Sequence, residues 1–219
     1  PCPVVNACAT SFIDPEDGSI YAYQVYYDDD ENKGGPTVAR LDPVTLHWES
    51  VSCEPLDMQM HHHSQWFDES QRKFTIFGGY GNRRYNGSFY DFDLSDYSWS
   101  KWNVETGDVI FPRFFSSMGY NEVDGNLLIF GGMGNESGDQ IVGREYSYDL
   151  FEVNPRERSS RKVWTADWKG DNCVAVRGMV VDGDSFYTLC YPEYETFSEL
   201  NLYRFSLKTG EYETLGDPV

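Results

Sequence analysis

Along much of the chain, apolar and aromatic residues gather in short runs, in places at every second position, and Gly, Asp, Asn and Pro separate the runs. "SIYAY", "KFTIF", "NLLIF" and "SFYTLC" are four of them, each preceded by a polar turn. A period of two marks a half-buried strand, because successive side chains leave a strand on opposite faces. No segment sustains the i, i+3, i+4, i+7 spacing of an amphipathic helix, so the pattern predicts an all-β chain with helices nearly absent.

The runs recur at a fixed distance. "KFTIFGGYGNRRY" at 73–85 returns as "NLLIFGGMGNESG" at 126–138, and Gly78 to Gly131 is a step of 53 residues. A period near fifty signals a repeat architecture. Downstream, "RLDPVTLHW" ends at Trp48, "DFDLSDYSW" at Trp99 and "RFSLKTGEY" at Tyr212, with Leu41, Phe92 and Phe205 each seven residues before that aromatic. "LFEVNPRERSSRKVW" aligns at Phe151 but reaches Trp164 six residues late, which predicts a longer turn carrying Arg156, Arg158, Arg161 and Lys162. Upstream, Phe12, Phe67, Tyr120 and Val181 each precede a polar turn, and the turns read as hairpins.

Each unit is therefore strand a, tight turn, strand b, variable tip, strand c, short turn, strand d. Four such antiparallel units, at about 7–56, 59–110, 113–170 and 174–216, make propeller blades. Ala9, Ser64, Ser117 and Gly178 align as small residues where strand a crowds the axis.

The units resemble kelch repeats, with Gly78, Gly79, Tyr90 and Trp99 in the second and Gly131, Gly132, Tyr148 and Trp164 in the third. Pro112-Arg113 with Ser116-Ser117 is similar to the family's Pro-Arg-x-x-His-Ser, and His63 falls on the family's histidine. Units one and four depart from the pattern, with Tyr23-Gln24 and Cys190-Tyr191 in place of the doublet. The resemblance implies a propeller of six or seven blades, so these four read as part of a larger ring; a compact four-bladed ring is the alternative. A phosphate-cradling glycine loop would launch a helix. A strand pattern follows each doublet instead, so the glycines read as structural, admitting close backbone approach and positive φ.

Composition narrows function. Thirty-six acidic against 17 basic residues give a net charge of −19, which disfavours nucleic acid and anionic membranes as partners. No apolar run is long enough to cross a bilayer. A start at Pro1 suggests a processed product or an excerpt and leaves the compartment open. Cys2, Cys8, Cys53, Cys173 and Cys190 contain no C-x-x-C pair and read as buried thiols, with one disulfide as the alternative.

Candidate chemistry gathers on the face of the b–c tips and the starts of strand a. His61, His62, His63, Arg83, Arg84, Tyr85, Arg113 and Tyr194 fall there, with Tyr26, Tyr27 and Tyr191. Arginine forks beside aromatic rings suit an acidic peptide or a sugar. His61 and His63 would share one side of a strand and could grip a metal only with a third ligand, which the sequence does not identify. The tip Asp28, Asp29, Asp30 and Glu31 lacks the order of an EF-hand loop and reads as a hydrated loop. Asn86-Gly-Ser and Asn135-Glu-Ser are glycosylation acceptors in form.

No nucleophile elbow, P-loop or H-E-x-x-H motif is present. The copper ligands of galactose oxidase, which shares kelch-type blades, do not map onto this chain. The expectation is thus a non-catalytic scaffold without cofactor, binding a protein or glycan through its loops. A carbohydrate-active or metal-dependent enzyme with an axial pocket, and a structural spacer in a surface or sensor protein, are the alternatives.

Overall fold

The computed structural model describes residues 1–4, 9–25, 35–57 and 59–219. Cys8, Tyr26, Tyr27 and the acidic tip Asp28, Asp29, Asp30 and Glu31 lie outside the described residues. Four antiparallel sheets follow one another along the chain. The first blade has strands Thr10–Ile13, Ile20–Tyr23, Val38–Leu41 and Trp48–Ser52; the second has Ser64–Asp68, Lys73–Phe77, Phe89–Asp93 and Ser98–Trp102. The third has Ser117–Asn121, Asn126–Gly134, Glu145–Asn154 and Ser159–Thr165; the fourth has Val180–Asp182, Ser185–Tyr191, Asn201–Ser206 and Tyr212–Leu215. Each blade runs a-b-c-d in spatial order. The described residues hold no α-helix, only a 3₁₀ turn at Gln140–Val142.

The alternation read from sequence is what packs the blades. In Ser185–Tyr191, Phe186, Thr188 and Cys190 are buried while their neighbours are half-buried. Aromatic residues from facing sheets meet between blades: Phe12 of the first stacks on Phe74 of the second at 3.9 Å. Phe77 and Phe89 of the second share a cluster with Ile129 and Phe151 of the third. Phe130 of the third meets Phe186 and Phe205 of the fourth. Each such buried ring contributes roughly 1.5–3 kcal/mol. Among the described residues no comparable cluster joins the fourth blade to the first. Ile13 and Val180, on the faces turned away from the neighbouring blade, are 61% and 67% exposed.

Register corrects several alignments. Strand pairing sets Phe92 against Trp99, Leu41 against Trp48 and Phe205 against Tyr212, but in the third blade the matching pair is Val153 and Ser160. The third c–d turn therefore holds residues 155–158, as many as 94–97 in the second, and is not longer. The extra residues extend strand d, and Trp164 pairs with Leu150 near its far end. From there its indole N–H donates to Leu207 O and its ring packs on Phe186 and Phe205, so it serves the fourth blade's core. Phe151, opposite Ile129, stands where Tyr90 stands opposite Ile76; Tyr148 does not.

Of the basic residues near that turn, Arg158 pairs with Glu105 and Arg161 with Glu152 inside the chain. In the first blade Thr10 faces Tyr23 as Ser64 faces Phe77, so Thr10 takes the small-residue register and Ala9 does not. By the same register Gln24 and Val25, one step beyond the expected pair, follow strand b.

The glycine doublets sit where backbone meets backbone. Gly78 and Gly79 have φ of +76° and +96°, and Gly131 and Gly132 of +65° and +98°. A Cβ on Gly79 would lie 2.7 Å from Met60 Cα, and one on Gly132 2.7 Å from Phe114 O. Both obstacles belong to the segment that leads into strand a of the same blade. Gly79 N–H donates to Arg113 O at 2.8 Å, a neighbouring blade's backbone and not a ligand.

Gly79→Ala is expected to cost at least about 2 kcal/mol, combining left-handed strain with overpacking. Gly143→Ala, at φ +101° with nothing within 4 Å of its Cβ, bears the strain alone and should cost less. Urea unfolding of both variants checks the order; equal losses would refute the crowding account.

Candidate functional site

The segments held down by the glycines carry the site. Gln59–His63, Pro112–Ser116 and Val174–Arg177 enter strand a of the second, third and fourth blades on the face where the b–c tips emerge. A tight hairpin joins them: Tyr80 pairs with Tyr85 across Asn82 and Arg83, whose φ values of +48° and +62° fit a two-residue I′-type turn. This hairpin turns Tyr85 inward, onto the ring of Phe114 at 5.3 Å, and leaves Arg83 and Arg84 exposed.

Two depressions result. The first, of about 260 Å³, is walled by Tyr80, Tyr85, Phe114, Phe115, Met133 and Tyr191, with His62, Gln140, Arg144 and Glu193. The second, of about 230 Å³, lies between Ala175, Val176 and Arg177. His62, Phe115 and Tyr191 line both and form the partition. The b–c tips of the third and fourth blades also carry exposed apolar side chains: Ile141, Val142, Tyr194 and Phe197.

Arg177 is the charged centre of the second depression. Its carbonyl accepts the amide N–H of Gln65 at 3.4 Å and of Met118 at 3.1 Å, and its guanidinium donates to Thr10 Oγ1 in the first blade. Among the described residues no carboxylate stands within ion-pair distance of it. Burial first, and the Arg177 charge second, lower the imidazoles beside it: His61 falls, His62 drops to about 4 and His63 to about 3. All three are therefore neutral near pH 7, and Arg177 supplies the positive charge at the axis.

The eight expected loop-face residues divide. His62 and Tyr85 line the cavity, His61 stacks beside it with its ring 5.5 Å from Tyr80, and Arg83, Arg84 and Tyr194 stand outside. His63 and Arg113 are fully buried and are not surface ligands. The His63 Nδ1–H donates to Met60 O at 2.8 Å and Nε2 accepts from the Tyr23 hydroxyl at 2.6 Å. Both nitrogens are thus engaged and His63 has no lone pair for a metal. His62, at φ +54°, breaks the strand before Ser64, so His61 and His63 do not share a strand face. Among the described residues no group of three His, Cys, Asp or Glu is placed to hold a metal ion.

Arg113 is a tie between strands. Its guanidinium donates to Asp149 Oδ1 at 2.6 Å and to Gly131 O at 3.0 Å, and lies 3.9 Å from the Phe111 ring centre. Burial alone would raise the Asp149 carboxyl, but the Arg113 charge and hydrogen bonds hold it below the usual range. Asn86 is likewise internal: its amide donates to Gly78 O and Ser88 O, each at 3.0 Å, which clips the b–c loop and leaves no exposed acceptor for a glycan. Cys173 and Cys190 are buried free thiols, as is expected of small apolar residues, whereas Cys53 is exposed.

Sequence reading missed Tyr80, Phe114, Phe115, Met133, Arg177 and Glu193. A signal was present for some of them: Tyr80 and Met133 directly follow the two doublets, and Phe114-Phe115 directly follows Pro112-Arg113.

Four-stranded antiparallel blades packed face to face, with the loops of one rim gathered over the axis, define a β-propeller. The chain matches the KLHDC2/KLHL20/DRC7 Kelch-repeats domain over residues 19–217, and it belongs to that kelch-repeat family. No curated protein matches it significantly. No helix among the described residues is long and apolar enough to cross a membrane.

The low His63 pKa makes stability pH-dependent. The unfolded imidazole protonates near 6.5 and the native one near 3, so native stability is full above the first value and falls as pH drops between them. The slope approaches about 1.4 kcal/mol per pH unit. Urea unfolding at pH 7, 6 and 5 should show the stability gap between wild type and His63→Gln narrowing toward acid; a constant gap would refute the assignment.

Removing Arg113 leaves the buried Asp149 with only the longer ion pair to Lys162 at 3.6 Å, and Arg113→Ala should cost about 3 kcal/mol. Arg113→Met combined with Asp149→Leu should recover most of that loss in the same measurement.

Proposed function

We propose that this kelch propeller is a non-catalytic protein-recognition scaffold, with a partner segment laid across the b–c-loop face over the two depressions. The observation that carries the reading is the aromatic floor of Tyr80, Phe114, Phe115 and Tyr191 beside Arg177, a cation with no carboxylate partner among the described residues. In a chain of net charge −19, a cation so placed is matched by a partner acid.

A ring-rich surface, with exposed Ile141, Val142 and Phe197 on the b–c tips of the same face, resembles a protein interface, where aromatic residues and arginine are enriched. Each depression is below the roughly 300–1,000 Å³ of small-molecule sites, which suits side chains of a bound polypeptide. The uncovered apolar faces of the first and fourth blades, at Ile13 and Val180, would be closed by further blades or an adjoining domain.

Affinity capture from cells expressing the protein, quantified against three variants, tests the surface. Phe115→Ala and Arg177→Gln should each lower recovery of a common partner at least tenfold, while Lys208→Ala on the opposite face leaves it unchanged. Loss with Lys208→Ala alone, or recovery indifferent to both loop-face changes, would overturn the reading. A glycan array signal abolished by Phe115→Ala would transfer the surface to carbohydrate.

A further inference from the structure

We propose that the first depression takes a cationic side chain of the partner, a lysine or an arginine, and holds it on the carboxylate of Glu193. This rests on the reading of the loop face as a protein-recognition surface and names what that surface selects.

Glu193 follows strand b of the fourth blade, and its side chain is 9% exposed. The Tyr146 hydroxyl donates to its Oε1 at 2.5 Å. Burial first, and this hydrogen bond second, push the Tyr146 phenol up to about 12, so the tyrosine keeps its proton and remains the donor. Oε2 is buried and has no hydrogen-bond partner among the described residues. A buried carboxylate oxygen without a hydrogen bond pays its desolvation with nothing in return. Arg144 ion-pairs with Oε1 and leaves Oε2 without a hydrogen bond. Its nearest nitrogen is 3.7 Å from Oε1, beyond hydrogen-bond length, and its side chain is half exposed at the rim.

Apart from Arg144, whose charge is engaged with Oε1, the remaining walls favour the same charge. Tyr80 and Tyr85 flank Phe114, with ring centres 4.7 Å and 5.3 Å from it, and Tyr191 closes the side toward the fourth blade. Aromatic faces attract a cation and an adjoining carboxylate strengthens that attraction, whereas an acidic group entering here would meet Glu193. The chain's acidic balance draws basic partners at long range. The neighbouring depression has the opposite preference, set by Arg177. With only His62, Phe115 and Tyr191 between them, the two subsites give the surface a polarity, acid over the axis and base toward the rim.

Selection of a random linear dodecapeptide library on the whole chain provides the test, with affinities of the recovered peptides measured by titration calorimetry. Recovered sequences should share a lysine or arginine at one position. Glu193→Gln, which retains an acceptor for Tyr146, should weaken their binding at least tenfold without lowering the melting temperature. Replacing the basic residue by norleucine should weaken binding equally, and the two changes together should cost little more than either alone. Peptides that depend on Phe115 but share no basic residue, or that bind Glu193→Gln as tightly as wild type, would overturn the cation pocket and leave the recognition surface standing. If no recovered peptide depends on Phe115 or Glu193, both readings fall.

Discussion

Where the blades converge, one backbone has to run against another with no room for a Cβ, and the glycine doublets answer that constraint. Gly79 accommodates the segment around Met60, and Gly132 the segment from Phe114 to Ser116. Because those segments can lie so close, their next residues, His62 and Phe115, are placed over the axis. The loop-face cavity is thus a consequence of main-chain crowding in the scaffold, built before any ligand is considered.

Polar groups trapped by the same crowding are paired in ways that fix geometry. Arg113 spans strands b and c of the third blade through Gly131 O and Asp149, and its burial is tolerable because both charges are matched. His63 is kept neutral and threaded between Met60 O and the Tyr23 hydroxyl, which ties the second blade to the first. Arg177 reaches three blades at once, through its carbonyl to Gln65 and Met118 and through its side chain to Thr10. These residues differ in one respect that bears on function. Arg113 and His63 are satisfied internally, while among the described residues Arg177 has no carboxylate within ion-pair distance and Glu193 Oε2 no hydrogen-bond partner, and both residues line a depression. On the proposed reading, recognition would draw on that residual capacity.

Repeated turns tell the same story at the opposite rim. Asp42, Asp93 and Asn154 each accept, on a side-chain oxygen, the amide two residues ahead, at 2.8, 2.8 and 3.0 Å. This side-chain-to-backbone turn marks the start of every one of these c–d connections. It is a better ruler than the aromatic that follows, because turn geometry leaves no freedom of register while an aromatic can serve a core from several places. Trp164, aligned by its residue type, proved to be four places along its strand from the turn-defined position held by Ser160.

Local chemistry was legible without coordinates wherever neighbouring residues suffice to produce it: the period of two, the hairpin turns, the doublets with positive φ, the four-unit repeat and the kelch resemblance. Arg113 and His63 looked like ligands because a sequence shows their charge and donors but not their partners, Asp149 lying 36 residues away and Tyr23 lying 40. Arg177 and Glu193 were passed over for the converse reason, since what marks them is a missing contact among the described residues: no carboxylate beside Arg177, and no hydrogen bond to Oε2 of Glu193. Which buried charges are answered and which are left open is a property of contacts between blades, and only the folded chain assembles those contacts.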